Sequence, residues 1–331
     1  MLKSIHALVG YEVREDKILY IDLNKDFPKN TFEPYICIST KCNDVIQLQD
    51  KLEKLYMYSE ANQTLIVRFE TLKSRLNRIE KNTFKFLATL IVINEFVLLR
   101  LLPRLYFFKW IYTILFRGKF KILSKAEGLG RMAYAGFKIK QIKAYNSILY
   151  VELNKSKQPK NLSKPSYGPL FKMSRLGKNR RKIGVYKIRT MHPYSEYLQD
   201  FMIKNSGYSK KGKLNNDFRV TIWGKWIRKY YLDELPQIIN VLKGEMKILG
   251  LRPLSEAYFE GLSSEYQNER VKYKPGCIPP YVALNYKSSK EEVIKAEKEY
   301  IEMKSKRPYS TDFILFFSAL KNLLIYKVRS S

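Results

Sequence analysis

Residues 232–252 read LDELPQIINVLKGEMKILGLR. An adjacent carboxylate pair, Asp233 and Glu234, precedes a short apolar run, with a basic segment before it and Arg252 after it. Two carboxylates among cations suit magnesium-dependent chemistry at a phosphate, because one oxygen can attack phosphorus or hold metal while fixed positive charge steadies the phosphate oxygens. Helix capping explains the same letters differently. Asp233 would be an N-cap, Glu234 a first-turn acid, Pro236 a first-turn proline and Gly244 the closing glycine. The surrounding sequence decides between the two readings.

Working outward, the chain supplies GPLF at 168–171, RLGK at 175–178, KIRTM at 187–191, DFRVTIWGKWIR at 217–228, the LDELPQIINVLKGEM block, and GLRP at 250–253. In this order and spacing the blocks resemble the bacterial sugar transferase family, the monotopic phosphoglycosyl transferases that start glycan assembly on a polyprenyl phosphate carrier. So many ordered blocks are far more specific than one short motif.

The resemblance implies an enzyme with a covalent mechanism. Asp233 would attack the β-phosphorus of a nucleotide diphosphate sugar, usually a UDP-sugar, and expel the nucleoside monophosphate. Polyprenyl phosphate would then take the sugar phosphate from the aspartyl intermediate. Glu234, with Asp233, would hold Mg2+. The family positions assign phosphate contacts to Lys187, Arg189, Arg228 and Arg252, and supporting roles to Asp217, Arg219, Gln237 and Arg175. A carboxylate is a competent phosphoryl acceptor, and splitting the transfer lets a soluble and a lipid substrate use one site in turn. The implied setting is exopolysaccharide, capsule or lipopolysaccharide synthesis at the cytoplasmic face of a bacterial inner membrane. An inactive membrane-bound scaffold or regulator of glycan assembly is the alternative from another class. A homo-oligomer is compatible with either.

In a chain this basic a solvated surface charge is the ordinary reading of any one Lys or Arg, and the family positions reverse it for Lys187, Arg189, Arg228 and Arg252, whose chemistry suits the role. Lys187 and Arg189 alternate along a predicted strand, so both are expected on one face where they could grip phosphate together. Arg252 follows the apolar MKIL at an expected strand end, where its planar guanidinium could hold a diphosphate bidentately.

Composition narrows the partners. A formal charge of +30, from 61 Lys and Arg against 31 acids, calls for an anionic partner or surface. Nucleic acid is set aside, because the cations spread along the whole chain and no standard nucleic-acid module is readable. An anionic membrane surface accounts for the surplus, at about 1 kcal/mol per basic residue near it. Three cysteines, Cys37, Cys42 and Cys277, exclude a disulfide scaffold, and two histidines cannot assemble a His/Cys zinc site. Walker, Rossmann and nucleophile-elbow patterns are absent, and the opening MLKSIHALVGYEVRED lacks the apolar core of a signal peptide.

Phe84–Phe116 is strongly apolar but broken by Glu95, Arg100, Arg104, Lys109 and Pro103. No charge-free run of about 18 residues exists there, so a re-entrant or interfacial segment with snorkelling cations is expected rather than a spanning helix, with a buried helical hairpin of a soluble domain as the alternative. WGKWIRKYY and the helix expected from Thr311 are further amphipathic candidates. The chain also departs from the family pattern. More than forty residues separate Phe116 from Gly168, Leu251 replaces the usual proline, and KPGCIPPYVALN from Lys274 replaces P-G-[IL]-T-G.

The expected chain is of the α/β (α+β) class. It comprises an N-terminal accessory region at 1–82, a membrane-associating segment at 83–118, a helix-strand-strand insertion and linker at 119–160, and a small mixed-sheet catalytic domain at 161–331. Within the insertion, the glycines of GLGRMAYAGF are expected to mark tight helix packing or a turn.

Overall fold

The apolar N-terminal turn and the strand-like KILYIDL and YICIST form α1 (Leu2–Val9), β1 (Ile18–Ile21) and β2 (Tyr35–Ile38). The amphipathic LQDKLEKLYMY and the β-branched TLIVRF form α2 (Leu48–Tyr58) and β3 (Thr64–Phe69), neither of which the sequence reading had singled out. This is a computed structural model, which describes residues 1–28, 33–98, 110, 114–115, 122–156, 168–206, 217–287 and 289–324. The chain divides into two compact units, Met1–Pro165 with His192–Asn205, and Ser166–Met191 with Ser206–Ser331.

In the first unit, α3 (Leu72–Glu80) starts where Thr71 Oγ1 accepts the Ser74 N–H, and α4 (Lys85–Phe96) follows. Past the hydrophobic segment come α5 (Lys125–Tyr134), β4 (Phe137–Tyr145) and β5 (Ile148–Lys155), the expected helix, strand and strand. Asn146 and Ser147, both at positive φ (46° and 62°), close the β4–β5 hairpin in two residues, the geometry that matches strand twist. All five strands join one mixed sheet in the order β1-β2-β3-β5-β4, parallel through β1, β2 and β3 and antiparallel beyond. Ile5 and Leu8 of α1 pack with Cys37, Ile66 and Tyr150 beside the sheet.

Segment 192–205 belongs to this first unit, so the chain leaves the second unit after Met191 and returns with Ser206. Its short 3-10 turn and α6 (Gln199–Ser206) bury Tyr194, Leu198 and Met202. A Cβ on Gly130 of α5 would overlap the Tyr194 backbone, which explains a glycine inside that helix. Arg131 lies 4.4 Å above the Tyr194 ring, and Tyr134 meets Tyr194 and Tyr197.

The apolar segment starts in α4, where Phe84, Phe86, Leu87, Leu90 and Ile93 are exposed. Glu95, which interrupts the run, is held by Arg75 of α3 through Nε at 2.5 Å and Nη2 at 2.6 Å. No helix among the described residues is long and apolar enough to cross a membrane. Apart from Trp110, Ile114 and Leu115, the stretch from residue 99 to 116, with Arg100, Pro103, Arg104 and Lys109, lies outside the described residues.

The second unit opens with a β6 (Leu170–Leu176) and β7 (Lys182–Ile188) hairpin, paired throughout from Leu170↔Ile188 to Leu176↔Lys182. Then follow α7 (Ile222–Lys229), a 3-10 turn at Leu232–Gln237, α8 (Ile238–Leu242) and β8 (Lys247–Leu249). The remainder is α9 (Glu256–Glu260), α10 (Ser264–Arg270), β9 (Gly276–Ile278), α11 (Pro280–Ala283), α12 (Lys290–Lys306) and α13 (Ser310–Leu324). β8 and β9 pair in parallel, and bridges Leu176↔Leu254 and Leu251↔Pro275 extend the pairing. The mixed sheet expected for the catalytic part is therefore two short two-stranded sheets among the described residues, and the larger mixed sheet lies in the first unit. Three-residue strands leave little backbone to pair, so side chains such as Leu251, Phe259, Tyr266, Tyr281 and Tyr300 form the core instead.

Candidate active site

Tyr231, at φ 58°, turns the chain out of α7 into the 3-10 turn that carries Asp233 and Glu234. No side chain caps this turn, so the capping explanation of Asp233 does not hold. The turn packs on β7, which brings Lys187 Nζ to 2.6 Å from Glu234 Oε1, with both side chains largely buried. Asp233 is half-buried. Burial pushes its carboxyl above the ordinary aspartate value, and the neighbouring Glu234 charge adds to this, while Lys187, Arg228 and its own backbone N–H oppose it.

Arg228, in the last turn of α7, donates from Nε to Thr190 Oγ1 at 2.7 Å. Burial lowers its pKa, Asp233 and Asp217 pull it back up, and Arg219 adds repulsion. Asp217 and Arg219 pair with each other: Asp217 accepts the Arg219 backbone N–H at 3.0 Å, Nε at 2.9 Å and Nη2 at 2.8 Å. Burial would raise the Asp217 carboxyl, but these bonds outweigh it and hold it below the usual range.

Thr190 is the joint of the arrangement. Its carbonyl accepts both the N–H and the hydroxyl of Thr221 at 3.0 Å, and Thr221 Oγ1 in turn accepts the Gly224 N–H at 2.9 Å. Gly224 sits so close to the Thr190 carbonyl that a Cβ would overlap it. The strand end, the cap of α7 and the guanidinium of Arg228 are thus fixed to one residue.

Asn240 does the same for β7. Fully buried, it accepts the Tyr186 N–H at 3.0 Å and donates to the Gly184 carbonyl at 2.8 Å and to Glu245 Oε2 at 2.7 Å. Sequence reasoning singled out neither Thr190 nor Asn240. The signal for Asn240 was available, since an amide within the apolar IINVL run demands buried partners. Gln237 is buried too, and its Oε1 has no hydrogen-bond partner among the described residues.

No hydrogen bond or ion pair joins Arg189, Arg175 or Arg252 to Asp233 or Glu234 among the described residues. Lys187 reaches Glu234 but Arg189 does not, although the β6–β7 ladder runs on past Ile188 through the Arg189 N–H to the Pro169 carbonyl at 2.6 Å. Arg189 instead donates to the Gly168 carbonyl at 3.1 Å and lies over the Phe171 ring. Arg252 is three residues past the end of β8, and its charge, after burial, lowers the pKa of Arg175. Cys277, a departure from the family pattern, sits in β9 near Glu234, where burial and that charge push its thiol up to about 11.

The grouped residues offer one half-buried carboxylate that feels the charges of Lys187 and Arg228, and a second carboxylate bound to Lys187. Among the described residues no group of three or more metal-ligating side chains exists. Two carboxylates still fit a magnesium ion, which takes most of its ligands from phosphate and water.

Residues 161–325 match the family model described as bacterial sugar transferase. The galactosyl transferase CpsE of Streptococcus agalactiae is 36% identical over 138 residues, 40% of this chain and 30% of that protein. The undecaprenyl-phosphate galactose phosphotransferase of Salmonella typhimurium is 41% identical over 93 residues, 26% of this chain and 20% of its own length. The UDP-N-acetylgalactosamine-undecaprenyl-phosphate N-acetylgalactosaminephosphotransferase of Aeromonas hydrophila is 31% identical over 164 residues, 48% of this chain and 36% of its own. The chain thus spans about a third or less of the length of these relatives, and the family model covers the part that carries Asp233, Glu234, Lys187 and Arg228. Through residues 161–325 the chain belongs to the bacterial sugar transferase family.

Proposed function

We propose that the chain transfers a sugar phosphate from a nucleotide diphosphate sugar, a UDP-sugar, to polyprenyl (undecaprenyl) phosphate. An Asp233 carboxylate oxygen attacks the β-phosphorus, the bond to the nucleoside monophosphate breaks, and that nucleotide leaves. An oxygen of polyprenyl phosphate then attacks the same phosphorus and expels the carboxylate, giving a lipid diphosphate sugar and restoring Asp233. The observation that carries this reading is the half-buried Asp233 that feels the charges of Lys187 and Arg228, beside a Glu234 already neutralised by Lys187. Phosphoryl transfer depends mainly on positioning and on neutralising oxygen charge, which these cations supply.

Arg252 and Arg189 would contact phosphate from outside this cluster, Asp217 and Arg219 would steady Arg228, and Gln237 would support the turn. Asp233 and Glu234 would hold Mg2+, which when bound neutralises phosphate charge. The names of the Salmonella and Aeromonas relatives support the lipid acceptor and a sugar nucleotide donor. A place at the cytoplasmic face of an inner membrane is supported by exposed apolar side chains near the site, Ile222, Trp223 and Trp226 on α7 and Leu235, Ile238 and Leu242 beyond it. Phe313, Ile314 and Phe317 on α13 add a second exposed apolar face.

The test is release of uridine monophosphate from UDP-galactose or UDP-N-acetylgalactosamine with undecaprenyl phosphate and magnesium. Release by the wild-type chain that Asp233→Asn abolishes is expected. Undiminished turnover in Asp233→Asn would remove the mechanism, and no release by the wild type with either donor would favour an inactive scaffold.

A further inference from the structure

The second unit buries a complete ion pair away from the acidic turn. Arg270 and Glu297 are 5% and 2% exposed, and Tyr266 closes the group from α10. Glu297 Oε1 accepts from Arg270 Nη2 at 3.0 Å and from the Arg252 backbone N–H at 2.8 Å. Glu297 Oε2 accepts from Arg270 Nε at 3.0 Å and from the Tyr266 hydroxyl at 2.5 Å. Arg270 Nη2 also donates to the Arg252 carbonyl. Every strong acceptor position of the carboxylate is used, and two of the bonds end on the backbone of a single residue.

Stability alone is a poor reason for such a group, since a buried ion pair is often replaceable by apolar residues without loss. Its target is more informative. Pro253 restricts Arg252 to extended backbone and itself has no N–H, so the loop after β8 cannot fix Arg252 by regular pairing. Clamping both the N–H and the C=O of Arg252 sets the direction of its Cα–Cβ bond. The guanidinium so directed lies within electrostatic range of Arg175, and both are depleted of counter-charge: no carboxylate pairs with either among the described residues. Arg175 itself is anchored through bonds to the Ser174 carbonyl at 2.9 Å and to Met173 Sδ at 3.9 Å, and the Leu176–Leu254 bridge ties its strand to the Arg252 loop. Two guanidiniums on bridged segments, neither paired with a carboxylate among the described residues, form a receptor for a phosphate group.

We infer that Glu297 and Arg270 are positioning residues that act through the Arg252 backbone, holding its guanidinium beside that of Arg175 to bind one phosphate group of the nucleotide diphosphate donor. The inference rests on the proposed role of Arg252 in phosphate binding and extends it to two buried residues and to Arg175 as its partner.

UDP binding to the full chain, measured by calorimetry alongside thermal melting, tests it. Arg252→Ala and Arg175→Ala are each expected to weaken UDP binding by about tenfold or more, the size of a lost charge-assisted contact. Glu297→Gln should weaken it by the same order, and Arg252→Ala with Glu297→Gln together should be no more than about twofold worse than Arg252→Ala alone, because both act through one guanidinium. Unchanged UDP affinity in Arg252→Ala would refute the phosphate-binding role itself and this inference with it. Weakened binding in Arg252→Ala, with Glu297→Gln folded and within about twofold of wild type or with the two effects multiplying, would leave that role standing and overturn the inference. Should Glu297→Gln not fold, Tyr266→Phe decides: it removes one bond to Glu297, and about threefold weaker binding that vanishes in the Arg252→Ala background is expected, whereas additive loss refutes the coupling.

Discussion

Asn240→Ala is the most exacting test of how the candidate site is built. The side chain is fully buried and ties α8 to β7 and to Glu245 through three bonds of 2.7–3.0 Å. Truncation leaves the Tyr186 N–H and the Gly184 carbonyl without their partner. Both residues are partly exposed, so water can reach them and each loss falls near the lower end of the range, about 1 kcal/mol. The bond to the Glu245 carboxylate adds about 1 kcal/mol or slightly more. The expected total is about 3 kcal/mol, which lowers the melting temperature by roughly 6–12 °C for a unit of this size. Trp223 and Trp226, two of the three tryptophans, lie on α7, so intrinsic fluorescence follows the right unit. Because Lys187 is the next residue after Tyr186, nucleotide release should also fall by at least about tenfold in the folded variant. Asn240→Asp keeps an acceptor for Tyr186 but turns negative charge on the Gly184 carbonyl and Glu245, so it should melt at least as low near neutral pH. A melting shift below about 3 °C in Asn240→Ala would refute the claim that this amide holds β7 in place.

Asp233 attacks only when ionised, and its pKa lies above the ordinary aspartate value. Activity should therefore be present above that pKa and be lost as pH falls through it, at a higher pH than an ordinary aspartate gives, and Lys187→Gln should move the acid limb higher still; a pH–rate profile checks both. A pKa raised on folding favours the protonated form in the folded state, so stability drawn from it disappears as pH rises through that value, and Asp233→Asn should melt slightly higher than wild type near neutral pH. Gly224→Ala should cost about 2–3 kcal/mol and release Arg228 from Thr190, seen as a lower melting temperature and loss of nucleotide release, because the new methyl overlaps a fixed carbonyl. Ile222→Glu with Trp226→Glu, at positions 90% and 57% exposed, should leave the fold intact and reduce sedimentation with anionic vesicles about tenfold or more; unchanged sedimentation would show that α7 does not meet the lipid.

Much of the site was legible because its members sit in ordered blocks close to one another in sequence. Asp233, Glu234 and Arg228 lie within a stretch of seven residues, and packing of their turn on β7 brings Lys187 to them. Local patterns also predicted α5, β4 and β5, where a Ser124 cap, alternating strands and the glycines of GLGRMAYAGF act over short distances: Gly128 and Gly130 make close contacts and Gly136 turns at φ 106°. What the sequence hid depends on distant partners. Strand β5 pairs with β3, more than seventy residues earlier, and nothing in either strand names the other. Glu297 reads as one more acid in the charged KAEKEYIEMK, and only the fold places Arg270 and the Arg252 backbone around it. The partners of Arg189, the Gly168 carbonyl and the Phe171 ring, lie across the β6–β7 hairpin, and alternation along one strand does not name them.

The passage of 192–205 into the first unit constrains how the two halves could be separated. A cut at residue 161, where the family match begins, would strip Tyr194 of the α5 surface that shelters it and would leave the buried side chains of 192–205 uncovered in the connection that follows Met191. Grafting this transferase half onto another N-terminal region is therefore a two-point operation, in which the graft must also supply a glycine-notched helix to receive the visiting tyrosine.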